Sequence, residues 1–374
     1  MKKVLFLTTY ASPYRVEFFD ELAKYCDVTV AFSERVEVQK HRDKSWFLNS
    51  QGRFRSVQLG KRLFTVRNTS LCLGILDLLK EPFDFIIVCG YSMPTQMLAI
   101  TWLRAKKIPY YMELDGGVIR EDSPLKLRLK RFLVRDAAGY FSTGEATTDY
   151  LCYYGARRDR VYTYPFTSLW ERDLLPGLVS GEEKQKLREK LGIPEKRMLL
   201  SIGQFIPRKG FDVLLRAAQK LDRDIGIYLV GGQATEEYLS MRQELGVDNV
   251  HFVGFTPKEQ LKEYYKAADL FVLPTREDIW GLVINEAMAY GLPVVTTDRC
   301  VAGLELVENG VYGYIVPVGD DDALAGKLKE ALSGDLAAMG QASLDRVQPY
   351  TYENMVKVHL ELFEKLAKEE GSTN

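Results

Sequence analysis

Short runs of consecutive apolar residues recur along the first half of the chain, each next to a segment whose apolar residues return every three or four positions. Lys3–Thr8 reads as a strand and Arg15–Tyr25 as a helix with Phe18, Phe19 and Leu22 on one face, and Asp27–Phe32, Phe83–Val88, Pro109–Leu114 and Gly139–Ser142 continue the series of strands. Strands that are apolar on both faces and separated by helices predict a parallel sheet covered on both sides. The rhythm breaks over residues 165–190, where Pro165, Pro176 and Gly177 lead into the charged stretch Gly181–Gly192, the expected linker. It then restarts. Met198–Gly203, Gly226–Val230, Asn249–Val253, Leu270–Leu273 and Pro293–Thr296 read as strands, and Gly210–Lys220, Lys258–Ala268 and Ile284–Ala289 as helices. The pattern predicts an α/β protein of two doubly wound halves, residues 1–170 and 171–350, with a cleft between them.

A length of 374 residues is consistent with two domains, each large enough for its own core. The balance of charge sharpens the division. Residues 1–170 hold 26 Lys+Arg against 18 Asp+Glu, and residues 171–374 hold 24 against 33, so a basic half precedes an acidic one although the net charge is −1. The five cysteines (Cys26, Cys72, Cys89, Cys152 and Cys300) are scattered and never form a CxxC pair, which supports neither a disulfide framework nor a zinc site and points to a reducing, cytoplasmic setting. Met1-Lys2-Lys3 is followed by an apolar run too short for a signal peptide, and the uncharged stretch Phe85–Leu103 reads as strand, turn and helix because Gly90, Ser92, Pro94, Thr95 and Gln96 interrupt it.

Two strand-to-helix junctions carry candidate chemistry. In the segment Pro274 to Gly291, Gly281 opens a helix and Asp278 and Glu286 lie on either side of that opening. A helix start supplies free N–H groups and the positive end of a dipole for an anion. Carboxylates beside phosphates would be repelled by them, so Asp278 and Glu286 suit hydrogen bonds from sugar hydroxyls. In the segment Ser201 to Leu215, a strand ends at Gly203, adjacent cations Arg208 and Lys209 follow, and Gly210 opens a helix. Arg208 can grip a phosphate through two donors, and Lys209 adds a compact charge. There is no GxxxxGK[ST] at a strand end, and the first strand-to-helix turn, Thr8 to Arg15, has no glycine, which disfavours ATPase and ordinary NAD-enzyme readings.

Together these segments resemble the retaining GT-B glycosyltransferases of family 4, which use nucleotide-diphosphate sugars. Val230-Gly-Gly232, Asn249 to Phe255, Tyr265 to Pro274 and Val301 to Gly313 are similar to the family pattern, and the family's carboxylate-x7-Glu signature falls on Asp278 and Glu286. The resemblance implies a GT-B fold of two Rossmann-like domains, with the N-terminal one binding the acceptor and the C-terminal one the donor. It implies that Arg208 and Lys209 bind the diphosphate, Glu286 the ribose and Asp278 the transferred sugar. The donor would lie along Gly203, Gln204, Phe255, Trp280, Gly281, Leu282 and Val283. The C-terminal helix, residues 351–374 with its core at Thr351–Lys368, is expected to pack back on the N-terminal domain. Three departures stand out. Asp replaces the usual Glu at 278, Gln204 stands where many members have Arg, and none of His41, His251 and His359 occupies the place after the strand at 110–114 where many members have histidine. The alternatives are a nucleotide-sugar epimerase of the same fold or a sugar-nucleotide-binding subunit without turnover.

In the place of that histidine the chain offers Glu113-Leu-Asp115-Gly-Gly, where a carboxylate could accept a hydroxyl proton, although Asp-Gly is also a common turn. Tyr14, Arg15 and Glu145 are further acceptor-side candidates. Asp222-Arg-Asp224 and Asp320-Asp-Asp322 read as surface and helix-start acids, so no metal is expected and no cofactor beyond the donor itself. Leu125 to Arg135 is basic and amphipathic, with Leu125, Leu129, Phe132 and Leu133 aligned. It reads either as an attachment to an anionic membrane carrying lipid-linked acceptors or, preferentially, as a sheet-covering helix whose stripe fills the core. The acceptor expected is a glycan or a lipid-linked one. No interleaving of aromatic and basic residues suggests nucleic acid.

Overall fold

The computed structural model describes residues 1–34, 52–66 and 69–371, so His41 lies outside the described residues. The chain forms two compact units, Met1–Thr167 together with Thr351–Asn374, and Ser168–Tyr350.

The first unit contains β1 (Lys3–Thr8), β2 (Asp27–Phe32), β3 (Arg55–Gln58), the antiparallel pair β4 (Arg62–Val66) and β5 (Thr69–Cys72), then β6 (Phe85–Cys89), β7 (Tyr111–Leu114), β8 (Gly139–Ser142) and β9 (Val161–Thr163). Its main sheet is parallel in the order β3-β2-β1-β6-β7-β8-β9. The chain leaves β1 toward both edges, and the crevice where it reverses is the ligand position of doubly wound sheets. One face is filled by Leu5, Leu7, Ile86, Val88, Leu103 and Leu151. The other is aromatic. Phe6 meets Phe18 and Phe19 of helix Pro13–Leu22, and Phe85 stacks on Phe363 of the last helix, Tyr352–Gly371, at 4.7 Å. The last helix thus completes the core of the unit in which the chain begins.

The second unit contains β10 (Arg197–Ile202), β11 (Ile225–Val230), β12 (Val250–Val253), β13 (Leu270–Leu273), β14 (Val294–Thr297) and β15 (Gly313–Val316), parallel in the order β12-β11-β10-β13-β14-β15. Its reversal lies between β10 and β13.

Two expectations are corrected. Part of the expected linker is helix Gly181–Leu191 of the second unit. The Ser180 hydroxyl caps the Glu183 amide at 3.1 Å, and Arg188 reaches the Ala267 carbonyl at 2.7 Å and Asp269 at 2.8 Å, so its charges decorate a docked helix instead of a free connection. The helix Pro124–Val134 does not fill the core with the aligned stripe. It buries Leu133 and Val134 and leaves Leu125 80%, Leu129 47% and Phe132 40% exposed. Apolar residues occupy more than one side of this helix, and the sheet takes only one of them. Asp320 caps helix Asp321–Ser333 through the Ala323 amide at 2.8 Å, as a helix-start acid should.

Candidate active site

The site in the second unit is assembled at the sheet reversal from the two loops that follow β10 and β13. After β10 the chain turns through Pro207–Lys209 into helix Phe211–Ala218, and after β13 it runs from Pro274 to Gly281 before helix Leu282–Ala289. The loops are fastened together. Arg276 donates its amide to the Arg208 carbonyl at 2.7 Å, and the Arg208 guanidinium donates to the Glu277 carbonyl at 2.8 Å. Gly210 permits this approach, because it sits at φ +68° and a Cβ there would lie 2.0 Å from the Pro274 carbonyl oxygen. Arg276 adds a fork onto Asp212 at 2.6 and 2.7 Å.

This fastening fixes the charges. Lys209 Nζ lies 2.5 Å from Asp278 Oδ2 and Arg208 2.8–3.1 Å from its two acceptors on the same loop, 3.1 Å being the distance to Asp278 Oδ1. The aliphatic stem of Lys209 crosses Gly203, where a Cβ would meet it at 3.2 Å. Two cations therefore share one carboxylate, which leaves one positive charge uncompensated in the trio. Beside them Gly281, at φ +105° and packed so closely that a Cβ would lie 2.8 Å from Cys300 Sγ, starts the helix whose first amides belong to Leu282 and Val283. Those amides stand in the first turn, where a helix start has N–H groups outside its own ladder. Asp278 is held from behind, its amide donating to the Arg299 carbonyl at 2.9 Å and its carbonyl accepting from Val301 at 3.2 Å.

Glu286 lies in the second turn of that helix and is partly buried. Ser168 donates to Oε1 at 3.0 Å and Tyr265 to Oε2 at 2.9 Å. Burial raises its pKa above the usual carboxylate value, against the opposing effect of these two donors. Each carboxylate oxygen can accept about two hydrogen bonds, so one acceptor position remains on each for a vicinal diol. Phe255, 58% exposed, follows β12 with its ring available for stacking. Gln204 is exposed after Gly203, and Leu282 and Val283 are partly exposed. Trp280 departs from the expected donor surface. It is buried, and its indole donates to Asn285 at 2.8 Å, so it props the loop from beneath.

The first unit carries a different cluster. Arg15, near the start of helix Pro13–Leu22, donates to both Glu113 and Asp115. Tyr164 donates to Glu113 Oε1 at 3.2 Å, and His359 of the last helix brings Nε2 to 3.5 Å from Glu113 Oε2 while its Nδ1 donates to the Met355 carbonyl at 2.8 Å. Phe18, Phe141 and Tyr164 pack around the imidazole at 4.8–5.5 Å. Arg15, Glu113 and His359 are all at most 3% exposed. Burial pushes the Glu113 carboxyl up, but Arg15 and then His359 outweigh it and hold the group down to about 2. Burial raises Asp115, opposed by Arg15, and raises Tyr14 as well.

This arrangement corrects the reading of Glu113 as a free proton acceptor, since both of its oxygens are enclosed by this cluster. Asp115 is the carboxylate with an open edge, its side chain 29% exposed. Tyr14 packs edge-on against Phe166 at 5.6 Å, in the same cluster. Glu145 stands apart, exposed in the first turn of helix Glu145–Tyr153 and paired with Arg158 at 2.5 Å. Among the described residues, no group of three His, Cys, Asp or Glu side chains is arranged to hold a metal ion. Sequence reasoning missed Ser168, Tyr265, Tyr164 and His359. Of these only His359 leaves a signal, a histidine amid the buried stripe Tyr352, Met355, Val356, Phe363 and Leu366.

Comparison with known proteins agrees with this geometry. Residues 183–346 match the family model described as glycosyl transferases group 1. An uncharacterized glycosyltransferase of Methanocaldococcus jannaschii is 28% identical over 325 residues, covering 82% of this chain and 81% of that protein. The D-inositol 3-phosphate glycosyltransferase of Mycolicibacterium gilvum is 33% identical over 183 residues, 46% of this chain, and the match spans only 41% of that relative's length. Among solved structures, Anabaena HepE in complex with UDP superposes with a TM-score of 0.76 at 20% identity, over 98% of this chain and all of that one. Sucrose-phosphate synthase from Thermosynechococcus elongatus gives 0.75 at 18% identity, over 99% and 100%. These likenesses establish the fold as the α/β GT-B type.

Proposed function

With residues 183–346 belonging to glycosyl transferases group 1, we propose that this protein moves a glycosyl unit from a nucleotide-diphosphate sugar to a hydroxyl acceptor, with retention at the anomeric carbon. The observation that carries the reading is the meeting of Arg208, Lys209 and the start of helix Leu282–Ala289 on loops held rigid by each other, with the half-satisfied Glu286 on the same helix.

Arg208, Lys209 and the Leu282 and Val283 amides hold the diphosphate, and the two oxygens of Glu286 take the ribose hydroxyls. Phe255 covers the base. Asp278 addresses the sugar, from a position already oriented by Lys209. As the bond from the anomeric carbon to the β-phosphate oxygen breaks, negative charge grows on the departing diphosphate. Fixed donors stabilise it by a few kcal/mol each. The acceptor hydroxyl attacks on the same face, its oxygen bonds to the anomeric carbon, and its proton passes to the departing β-phosphate oxygen. Two cations and a helix start supply the charge that a divalent ion supplies elsewhere, so turnover is proposed to be metal-independent and unchanged in excess EDTA. The first unit, basic overall, carries a glycan or lipid-linked acceptor, in polysaccharide, lipopolysaccharide or glycolipid synthesis at the cytoplasmic face of a membrane.

The test is a thermal-shift screen of UDP-, GDP-, dTDP- and ADP-sugars, followed by product analysis by NMR. UDP-glucose comes first, because an Anabaena HepE structure holds it. A ligand at 100 times its Kd stabilises by about 2.7 kcal/mol. No shift with any donor would overturn the reading, as would inverted anomeric configuration in the product for the retaining step. Epimerised donor formed without acceptor would replace transfer by epimerisation.

A further inference from the structure

Arg276 stands on the loop after β13 but spends its polar groups on the loop after β10. Its amide donates to the Arg208 carbonyl at 2.7 Å. Its guanidinium donates to the Pro207 carbonyl at 2.6 Å, which also accepts from the Gly210 amide at 3.2 Å. The same guanidinium forks onto both oxygens of Asp212, in the first turn of helix Phe211–Ala218, at 2.7 and 2.6 Å. The short turn that carries the two cations is therefore held at Pro207, at Arg208 and at Asp212, on both sides of Lys209. Asp212 is steadied in turn by Arg216, one helical turn later, at 3.1 Å. Burial would raise the Asp212 carboxyl, but Arg276 and then Arg216 outweigh it and hold the group below its ordinary value, so the fork joins two full charges. Three of the five guanidinium donors of Arg276 are taken up by protein in this way. Arg208 differs, since it turns a single nitrogen, Nη1, to Glu277 and Asp278.

We propose that Arg276 is a positioning residue of the diphosphate site, setting the place and direction of Arg208 and Lys209 without touching a phosphate itself. The role rests on the donor reading above, and it adds a residue that lies outside the carboxylate-x7-Glu signature. A planar fork can satisfy two carboxylate oxygens and a carbonyl at once, so lysine at 276 would keep the charge and lose the geometry. A cation on a loose loop must be ordered when a phosphate arrives, and that lost freedom is subtracted from the affinity. A cation on a loop already held loses less. Charge adds to geometry. Without Arg276, the Asp212 carboxylate would retain Arg216 alone among the described residues, leaving negative charge poorly compensated three residues beyond Lys209.

The experiment is isothermal titration calorimetry of the full chain with UDP, GDP, dTDP and ADP. The tightest binder is then titrated into Arg276→Ala, Arg276→Lys, Arg208→Gln and the Arg276→Ala/Arg208→Gln double variant. The Arg276 side chain is 40% exposed, so its replacement opens no cavity in the core. Arg276→Ala is expected to raise the dissociation constant at least about tenfold, and Arg276→Lys to recover only a small part of that loss. Because Arg276 acts through Arg208, the loss in the double variant should fall short of the product of the two single losses by at least about threefold. A general loosening of the unit would instead lower the melting temperature and leave the two losses multiplicative. Unchanged affinity in Arg276→Ala, or multiplicative losses in the double variant, overturns the positioning role and leaves the donor reading standing. Absence of binding by the wild type to all four nucleotides overturns both.

Discussion

Each unit collects charged side chains at the carboxyl end of its sheet, near the reversal, but with opposite treatment. In the first, Arg15, Glu113 and His359 are enclosed by Phe18, Phe141 and Tyr164, with Arg15 bonded to Glu113 and His359 Nε2 facing Glu113 Oε2 at 3.5 Å. In the second, Arg208 is exposed, Asp278 binds two cations at once, and Glu286 uses only part of its accepting capacity. The same topological position is thus closed in one unit and left open in the other. Enclosure separates the two roles, since a cluster walled off by aromatic rings admits no ligand even where Glu113 Oε2 and His359 Nε2 lack a hydrogen-bond partner.

The largest effect expected of breaking this contrast is on stability. Glu113→Ala leaves Arg15 buried beside a partially compensated site, and loss of one partner of a buried pair costs about 3–5 kcal/mol. Urea unfolding should show that loss, with the nucleotide-sugar affinity of the remaining folded protein unchanged; a stable variant would mean that the cluster is not cohesive. The counterpart is Arg208→Gln, expected to lower kcat by about 30- to 100-fold, or 2–3 kcal/mol, while the unfolding midpoint moves by less than about 0.5 kcal/mol. Equal activity of this variant and the wild type would remove Arg208 from the diphosphate site.

Acid separates the units more gently. The folded Glu113 carboxyl sits at about 2, below its ordinary 4.5, so its stabilisation is complete above about pH 4.5 and disappears as pH falls toward 2. Glu286 has the opposite sign. Its folded pKa is raised, so the ionised form opposes folding at neutral pH, and protonation on acidification relieves that opposition. Glu286→Gln should therefore stabilise the protein by about 0.5–1 kcal/mol at pH 7 while weakening donor binding. Calorimetry across pH 3–7, an interval of about four units around these groups, distinguishes the two carboxylates. A Glu286→Gln variant less stable than the wild type would show that the carboxylate there is structural.

The central strands of both sheets are legible in the sequence because burial on both faces makes them continuous apolar runs, as in Val4–Leu7 and Leu270–Leu273. β3 and β9 are not, because Arg55–Gln58 is mostly polar and exposed and Val161–Thr163 is only three residues long. The cation loop and the Asp278–Glu286 segment are legible for a related reason, since each is a local strand-to-helix junction. Ser168 and Tyr265 complete Glu286 from 118 and 21 residues away, and nothing near them in sequence marks that partnership. The stripe at Leu125, Leu129 and Phe132 shows a further limit. Periodicity reveals that a helix has an apolar face, but a helix with several apolar sides does not declare which one meets the sheet.

His359 and Phe363 give the chain an unusual order of assembly. The segment that seals the first unit is translated after the whole of the second, so residues 1–167 emerge early and wait with the Phe85 and Phe141 part of their aromatic sheet face uncovered while some 180 further residues are made. The second unit, although synthesised later, is continuous in sequence and can finish first. Synthesis of this protein therefore holds a nascent chain with an open hydrophobic surface for many seconds at ordinary elongation rates, the interval in which a holding chaperone would protect it.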